Sequence, residues 1–425
     1  MGPYMDVFHS KFRDLWINLK SSLWFFPSII IFLFSLTAFI SILIDVVFNR
    51  ELNDMKLAIF GSSAEGARGI LATIAASMIT VAGVVFSITI VALSLTSSQY
   101  SSRVLRNFMK DHNNQFVLGV FIGIFAFCLI VLGTVRGQED LKFVPKISVL
   151  LAVILSFLGI GVFIFFIHHI ASSIQASQII SNIYNETMDI INEVFPDALN
   201  AEQEEENERN KIKWMEDDNF YTVVADKSGY IQKIDKNLLL KSAKHYDIVL
   251  RVEVPVGTCL IESTPYISIQ GKKKPDDEVI KSLRNALTID KQRTIEQDPA
   301  YGIRQLVDVA LKALSPGIND TTTAIMCIER LTAILCRITE RKINNCIIRD
   351  EGTIKVIIEE LDFTDYMDEA FNQIRDYGTN NIVVLRKLSW AFKNIKFFVS
   401  TPHGRDSIKK HTDALSAVLN KLAVE

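Results

Sequence analysis

The stretch Gly69–Leu95, GILATIAASMITVAGVVFSITIVALSL, decides how this chain is to be read. It consists almost wholly of Ile, Val, Ala, Met and Leu, and no charge falls between Arg68 and Arg103. A helix of roughly 20 such residues crosses a bilayer. Its small hydroxyls are ordered. Thr73, Ser77, Thr80, Ser87 and Ser94 follow steps of four, three, seven and seven; Val84 and Val91 fill the gaps, Ser98 continues the line, and Thr89 alone departs from it. That spacing places them on one helical face. In a membrane such a face either packs closely on a neighbour or lines a wet path.

Three further runs are long enough to span. Leu23–Ile44 is flanked by Trp16 and Trp24, which suit the interfacial belt. Phe116–Val135 carries Gly119 and Gly123, a GxxxG pair that permits close helix approach. Val144 to about Ile167 has Pro145 in its first turn. The first run is longer than a signal-peptide core and no A-x-A-like site follows it, so it reads as a span rather than a cleaved leader. Lys and Arg balance across the two sides, and the positive-inside rule returns a tie. An even span count puts both termini on one side, expected to be the cytoplasm, where a large region without an export signal stays.

Hydrophobic residues make up 49% of the 425, concentrated before Ala171, and the net charge is −3. No basic stripe points to nucleic acid. The cysteines Cys128, Cys259, Cys327, Cys336 and Cys346 form no CxxC, which argues against a disulfide framework or a zinc site and fits a reducing cytosol.

Past the fourth span, His168–Ile191 stays helix-compatible and reads as a helix projecting from the membrane until Pro196. Residues 202–208 form a charge-rich linker. From Phe220 to Gln270 short alternating runs (Tyr221–Val224, Gly229–Ile231, Asp247–Val254, Tyr266–Ile269) are punctuated by Gly and Pro and suggest a small β-domain of barrel-sandwich type. No lysine sits in a tight hairpin there, so no carried cofactor is assigned. Beyond Pro275 amphipathic helices dominate, with Thr353–Ile358 a possible strand. The expected fold is membrane α-helical, four transmembrane helices, plus a cytoplasmic α+β region. Its expected segments are an N-terminal cytoplasmic segment 1–22, the membrane domain 23–170, a projecting helix 171–200, an acidic linker 201–218, the β-domain 219–272 and a mostly helical domain 273–425.

Longer motifs add a resemblance. Gly66–Leu71, Ser77–Ser87 and Ser98–Phe108 resemble the membrane signatures of the domain-of-unknown-function 2254 family. Asp298–Leu306 and Ala313–Asp320 are similar to its soluble signatures, and Phe166–Ile170 and Ala370–Arg375 also fit. Thr321 and Ser102 stand where the resemblance leads one to expect proline. It implies a bacterial membrane protein, hence the inner membrane, and no biochemical activity.

The candidate sites follow from the residues. A conduit would be lined by Thr73, Ser77, Thr80, Val84, Ser87, Val91 and Ser94, with the valines closing it by dewetting. Arg103 and Arg106, with Lys110, would ring its mouth or anchor lipid headgroups. Asp45 reads as interfacial. His168 and His169 point about 100° apart and cannot chelate one metal together. Arg304, Gln305, Asn319, Asp320 and Arg375 are cytoplasmic ligand candidates; capping and helix-to-helix bonding is the plainer reading of the polar groups around them. No GxSxG, HExxH or phosphate loop occurs, so an enzyme is not expected, nor are a cofactor or metal. Four helices enclose little space, so a pore requires a homo-oligomeric ring in the lipid bilayer. The expectation is an oligomeric channel or pore-like conduit for ions or small solutes. The alternative is a non-conducting scaffold or sensor whose cytoplasmic domain binds a partner or small ligand.

Overall fold

The computed structural model describes residues 24–47, 63–100, 111–136, 143–195, 220–271, 274–341, 343 and 346–424. The N-terminal segment 1–22, the acidic linker 201–218, and Arg103, Arg106 and Lys110 lie outside the described residues. A membrane-helix unit runs to Gln175 and a second unit begins at Ala176.

The first unit contains α1 (Phe25–Val47), α2 (Ala64–Gln99), α3 (His112–Thr134) and α4 (Lys146–Ser173), all apolar and long enough to span. The GxxxG pair packs within the subunit. A Cβ on Gly119 would stand 2.9 Å from Ile30 Cδ1, and one on Gly123 would stand 2.7 Å from Phe34 Cδ2, so α1 rests its i, i+4 side chains in the cleft of α3. Gly159 of α4 gives the same room to Met78 of α2. Phe121, Ile124, Phe127 and Phe166 fill the centre.

Polar contacts seal the helix ends. Asp45, near the end of α1, is 2% exposed. Its Oδ1 accepts from Ile147 N at 2.9 Å, and its Oδ2 accepts from Ser148 N at 2.9 Å and the Ser148 hydroxyl at 2.6 Å. A carboxylate from α1 thereby caps α4. Arg68 donates to the Val135 carbonyl at the end of α3. Asp111 caps α3 through Asn113 N and meets His169 Nε2 of α4, while His168 is exposed, as their angular separation requires.

The helix expected to continue through His168 to Ile191 is broken at Ile174 and Gln175, and α5 (Ala176–Val194) is separate. The apolar step from Ile174 to Ile179 is five residues, which throws a continuous stripe out of phase. Rather than projecting alone, α5 buries Ile179, Ile183 and Ile191 in the second unit.

That unit holds β1 (Phe220–Val224), β2 (Gly229–Ile234), α6 (Lys236–Tyr246), β3 (Val249–Val252), β4 (Cys259–Leu260), β5 (Pro265–Gln270), α7 (Asp277–Asn285), β6 (Leu287–Asp290), α8 (Pro299–Ala313), α9 (Thr321–Thr339), β7 (Cys346–Asp350), β8 (Thr353–Ile358), α10 (Phe363–Tyr377), α11 (Ile382–Phe398) and α12 (Pro402–Val424). One sheet has the order β1-β5-β3-β8-β7 and the other β4-β2-β6. Both are open, so no barrel forms. Nor does the β-region end at residue 272. β8 lies parallel to β3 with Leu250 opposite Val356, and β6 pairs with β2 through Ile231 and Ile289. The early strands alone leave apolar edges that the later ones complete.

Asp298, Asp320, Asp362 and Asn381 cap α8, α9, α10 and α11. Among the packed helices Phe371 and Phe392 meet edge to face at 5.2 Å, and His411 of α12, 1% exposed, lies 5.7 Å from the Phe392 ring. Its Nε2 is 3.1 Å from Asp368 Oδ1 but out of hydrogen-bond alignment. Burial, aided by Arg375 and Lys410 and opposed by Asp368, pushes the His411 imidazole down to about 4.

Two predictions follow from these contacts. Asp45→Ala strands two amide donors at the start of α4 and lowers the resistance of the membrane unit to unfolding by about 2–3 kcal/mol, with Asp45→Asn intermediate, measured by denaturation in mixed micelles. His411 is neutral in the fold, whereas a free imidazole titrates near about 6.5. The unfolded chain therefore binds more protons between that pH and the folded value, and stability falls as pH falls through the window, by about 3 kcal/mol in total. Unfolding curves across it should show this slope, and His411→Met should remove that contribution.

Candidate functional site

Helix α2 has two faces with the same spacing. Leu71, Ala75, Met78, Ala82, Val85, Ala92 and Thr96 are buried in the subunit, in steps of three, four or, once, seven. Thr73, Ser77, Thr80, Val84, Ser87, Val91, Ser94 and Ser98, in alternating steps of four and three, are all exposed. At about 100° per residue the two seams lie roughly 150° apart. One seam holds α2 to its own subunit. The hydroxyl seam faces away from it.

The outward seam has its own chemistry. Thr73, Thr80 and Ser87 donate to the carbonyls of Gly69, Ala76 and Gly83 at 2.7–2.9 Å, so these hydroxyls are satisfied without a neighbour. Gly69 and Gly83 flank the seam, and a Cβ on either would meet nothing within 4 Å. Packing among the described residues does not require those glycines; they leave room for another backbone to approach. Elsewhere the outer surface is bulky and apolar, with Phe32 and Leu43 on α1 and Phe157 and Ile164 on α4. Thr89, off the line, is part-buried and bonds the Val85 carbonyl.

The ligand candidates of the second unit do not gather into one site. Arg304 bridges Asp308 (3.0 Å), Glu369 (3.4 Å) and Gln373 (3.0 Å), joining α8 to α10. Gln305 is buried, with no hydrogen bond to its Oε1. Asn319 takes φ +51 in the turn before α9. Asp320 accepts from Thr323 N and its hydroxyl, and these donors hold its carboxyl below the ordinary range. Arg375 bonds Asp376. Local structure accounts for Asn319 and Asp320 without a ligand.

Two cavities lie elsewhere. One of about 200 Å³ is lined by Lys236, Asp298, Glu359, Glu360 and Tyr366 among others; one of about 480 Å³ is lined by Gly257, Thr258, Arg293, Asp368 and Glu369. Asp298 and Arg293 lie between them as a pair: Arg293 Nε donates to Oδ2 at 2.5 Å and Nη2 to Oδ1 at 3.0 Å, while Tyr301 N also reaches Oδ1. Burial raises the Asp298 carboxyl above its usual range, and the guanidinium opposes that rise. Gly257, at φ +89, passes so close that any Cβ would strike the Asp298 carboxylate. In the sequence Asp298 opens the motif Asp298–Leu306, whereas Arg293 lies outside it. The two are five residues apart across a helix start, a spacing with no motif of its own.

A family model described as a predicted membrane protein, DUF2254, matches residues 20–394. The chain belongs to that family. It is 31% identical over 334 residues to an uncharacterized protein of Mycobacterium bovis and to uncharacterized proteins of two Mycobacterium tuberculosis strains, covering 76% of this chain and 62% of each relative. The chain thus spans less than two thirds of the length of those relatives. No solved structure matches. For this DUF2254 member, the Asp298–Arg293 pair generates a prediction. Arg293→Met leaves a buried carboxylate unpaired and should destabilise the second unit by about 3–5 kcal/mol, whereas adding Asp298→Leu recovers much of the loss. Thermal unfolding and limited proteolysis of the full chain measure both.

Proposed function

We propose that the protein is a homo-oligomeric conduit for ions or small solutes in the bacterial inner membrane, lined by α2 of each subunit. One observation carries this reading: the hydroxyl seam of α2 is exposed along its whole length while the opposite seam is buried. A face of Thr and Ser suits water or a second copy better than lipid tails, and Gly69 and Gly83 give a neighbouring backbone room to approach. Val84 and Val91 punctuate the seam and close the path by dewetting. Arg103, Arg106 and Lys110, shortly after α2 in the chain, favour anions at its mouth.

The regions before α1 and after α4 are placed in the cytoplasm. Four spans return the chain to its starting side, and Cys259, Cys327, Cys336 and Cys346 are all free, as suits a reducing compartment. The alternative, a non-conducting scaffold or sensor, is favoured by the bonds of Thr73, Thr80 and Ser87 to their own helix, which a dry contact between copies tolerates.

Flux separates the two. Val84→Ser and Val91→Ser should each raise leak from protein-containing liposomes roughly tenfold, the effect of lowering a barrier by about 1.4 kcal/mol. Ile79→Ser, on another exposed face, should leave leak unchanged, and Ile90→Ser, at the seam's flank, should do little. If all four leave flux unaltered in folded, oligomeric protein, the seam is a packing face. A single subunit as the only species in native mass measurement would remove the conduit altogether.

A further inference from the structure

Helix α11 presents a second outward line, of a different kind. Val383, Arg386, Trp390, Lys393 and Phe397 recur in steps of three and four, all exposed, over about 21 Å. Val384, Leu385, Leu388, Ala391, Phe392 and Ile395 occupy the opposite, buried face. The outward line alternates apolar and cationic side chains, and Phe397 at its end is 87% exposed.

Its charge is one-sided. The helix carries Arg386, Lys387, Lys393 and Lys396 and no acidic residue. Lys387 pairs with Glu329 at 2.6 Å and stands 3.7 Å over the Trp390 ring. Among the described residues Arg386, Lys393 and Lys396 form no ion pair, and they share α11 with the exposed Trp390 and Phe397. The packing of this unit does not explain why exposed aromatics alternate with cations on one face.

We infer that the outward face of α11 docks on an anionic lipid surface, with Trp390 and Phe397 entering the headgroup–acyl boundary and Arg386, Lys393 and Lys396 reaching the phosphates. Aromatic side chains beside long cationic ones are the composition of an interfacial helix, because the stems of Lys and Arg lie along apolar surface while their charges stay wet. Charge complementarity selects the occupant. A two-fold contact with a second copy would bring Arg386 and Lys393 against their own equivalents, a like-charge contact that disfavours association. An anionic bilayer offers both the charge and an apolar layer beneath it, and each cation near such a surface favours docking about fivefold. The inference does not depend on conduction through α2.

The test uses the full chain in lipid nanodiscs with Trp390 as the sole tryptophan, Trp16, Trp24 and Trp214 being replaced by Phe. The lipids are phosphatidylcholine alone or mixed with phosphatidylglycerol, with a spin label on the acyl chain as quencher. Trp390 emission should be quenched in the anionic discs, and high salt should weaken the quenching. Arg386→Glu with Lys393→Glu, both at exposed unpaired positions, should reduce the docked fraction at least tenfold. If the triple replacement does not fold, the difference between native protein and Trp390→Phe supplies the same signal. Three results overturn the inference: no lipid quenching in either disc; equal quenching with and without phosphatidylglycerol; or a Trp390 shielded from acrylamide yet untouched by the lipid label, which would mean that protein covers the face.

Discussion

Inside hydrocarbon, a backbone group without a partner has no water to turn to, and the ends of spanning helices are where such groups remain. The first unit meets this constraint with contacts that also set helix order. Asp45 ties the end of α1 to the start of α4, Arg68 ties the start of α2 to the end of α3, and Asp111 with His169 ties α3 to α4. Two of these place a carboxylate at a helix N-terminus, where amides and dipole both favour negative charge. Sealing the ends with side chains from neighbouring helices leaves the lateral faces to be set by volume alone. The glycines of α3 admit Ile30 and Phe34, and Gly159 admits Met78.

That division gives the outward face of α2 its meaning. α2 is held by one seam of small and medium side chains, and its other seam is exposed among the described residues. Hydroxyls bonded to their own helix suit a dry contact between copies as well as a wet path, so those bonds do not choose between the two. The glycines are more telling. Gly69 and Gly83 lower helix propensity without serving any contact among the described residues, which is a cost with no return unless something else approaches them.

What could be read in the sequence was whatever is local. Spans depend on length and composition, the GxxxG cleft on a four-residue spacing, and the turn at Asn319 and Asp320 on residues that cap and turn by their own chemistry. Pairing at a distance was not legible. β6 is four residues long and adjoins an amphipathic helix, so nothing local marks it as a partner of β2. Asp368, the carboxylate facing His411, comes from α10, more than 40 residues away. The break between α4 and α5 was visible as a five-residue apolar step, but helix-compatible residues on either side masked it. The candidate seam was legible in full. Its orientation was not, because periodicity defines a face without saying what the face meets.

In the second unit the charged pairs explain why sequence-adjacent clusters make poor site candidates. Arg251 with Glu359, Lys236 with Glu360 and Arg304 with Glu369 all join elements far apart in the chain. Arg293 and Asp298 are close in sequence but lock a loop to a helix start. Where a cation and a carboxylate meet there, the match organises packing instead of chemistry. The outward face of α11 is of another kind. Arg386, Lys393 and Lys396 stand on a helix with no acidic residue, beside aromatics that remain in water. Surface cations interleaved with exposed aromatics on one helix face point away from the fold and toward what the fold meets.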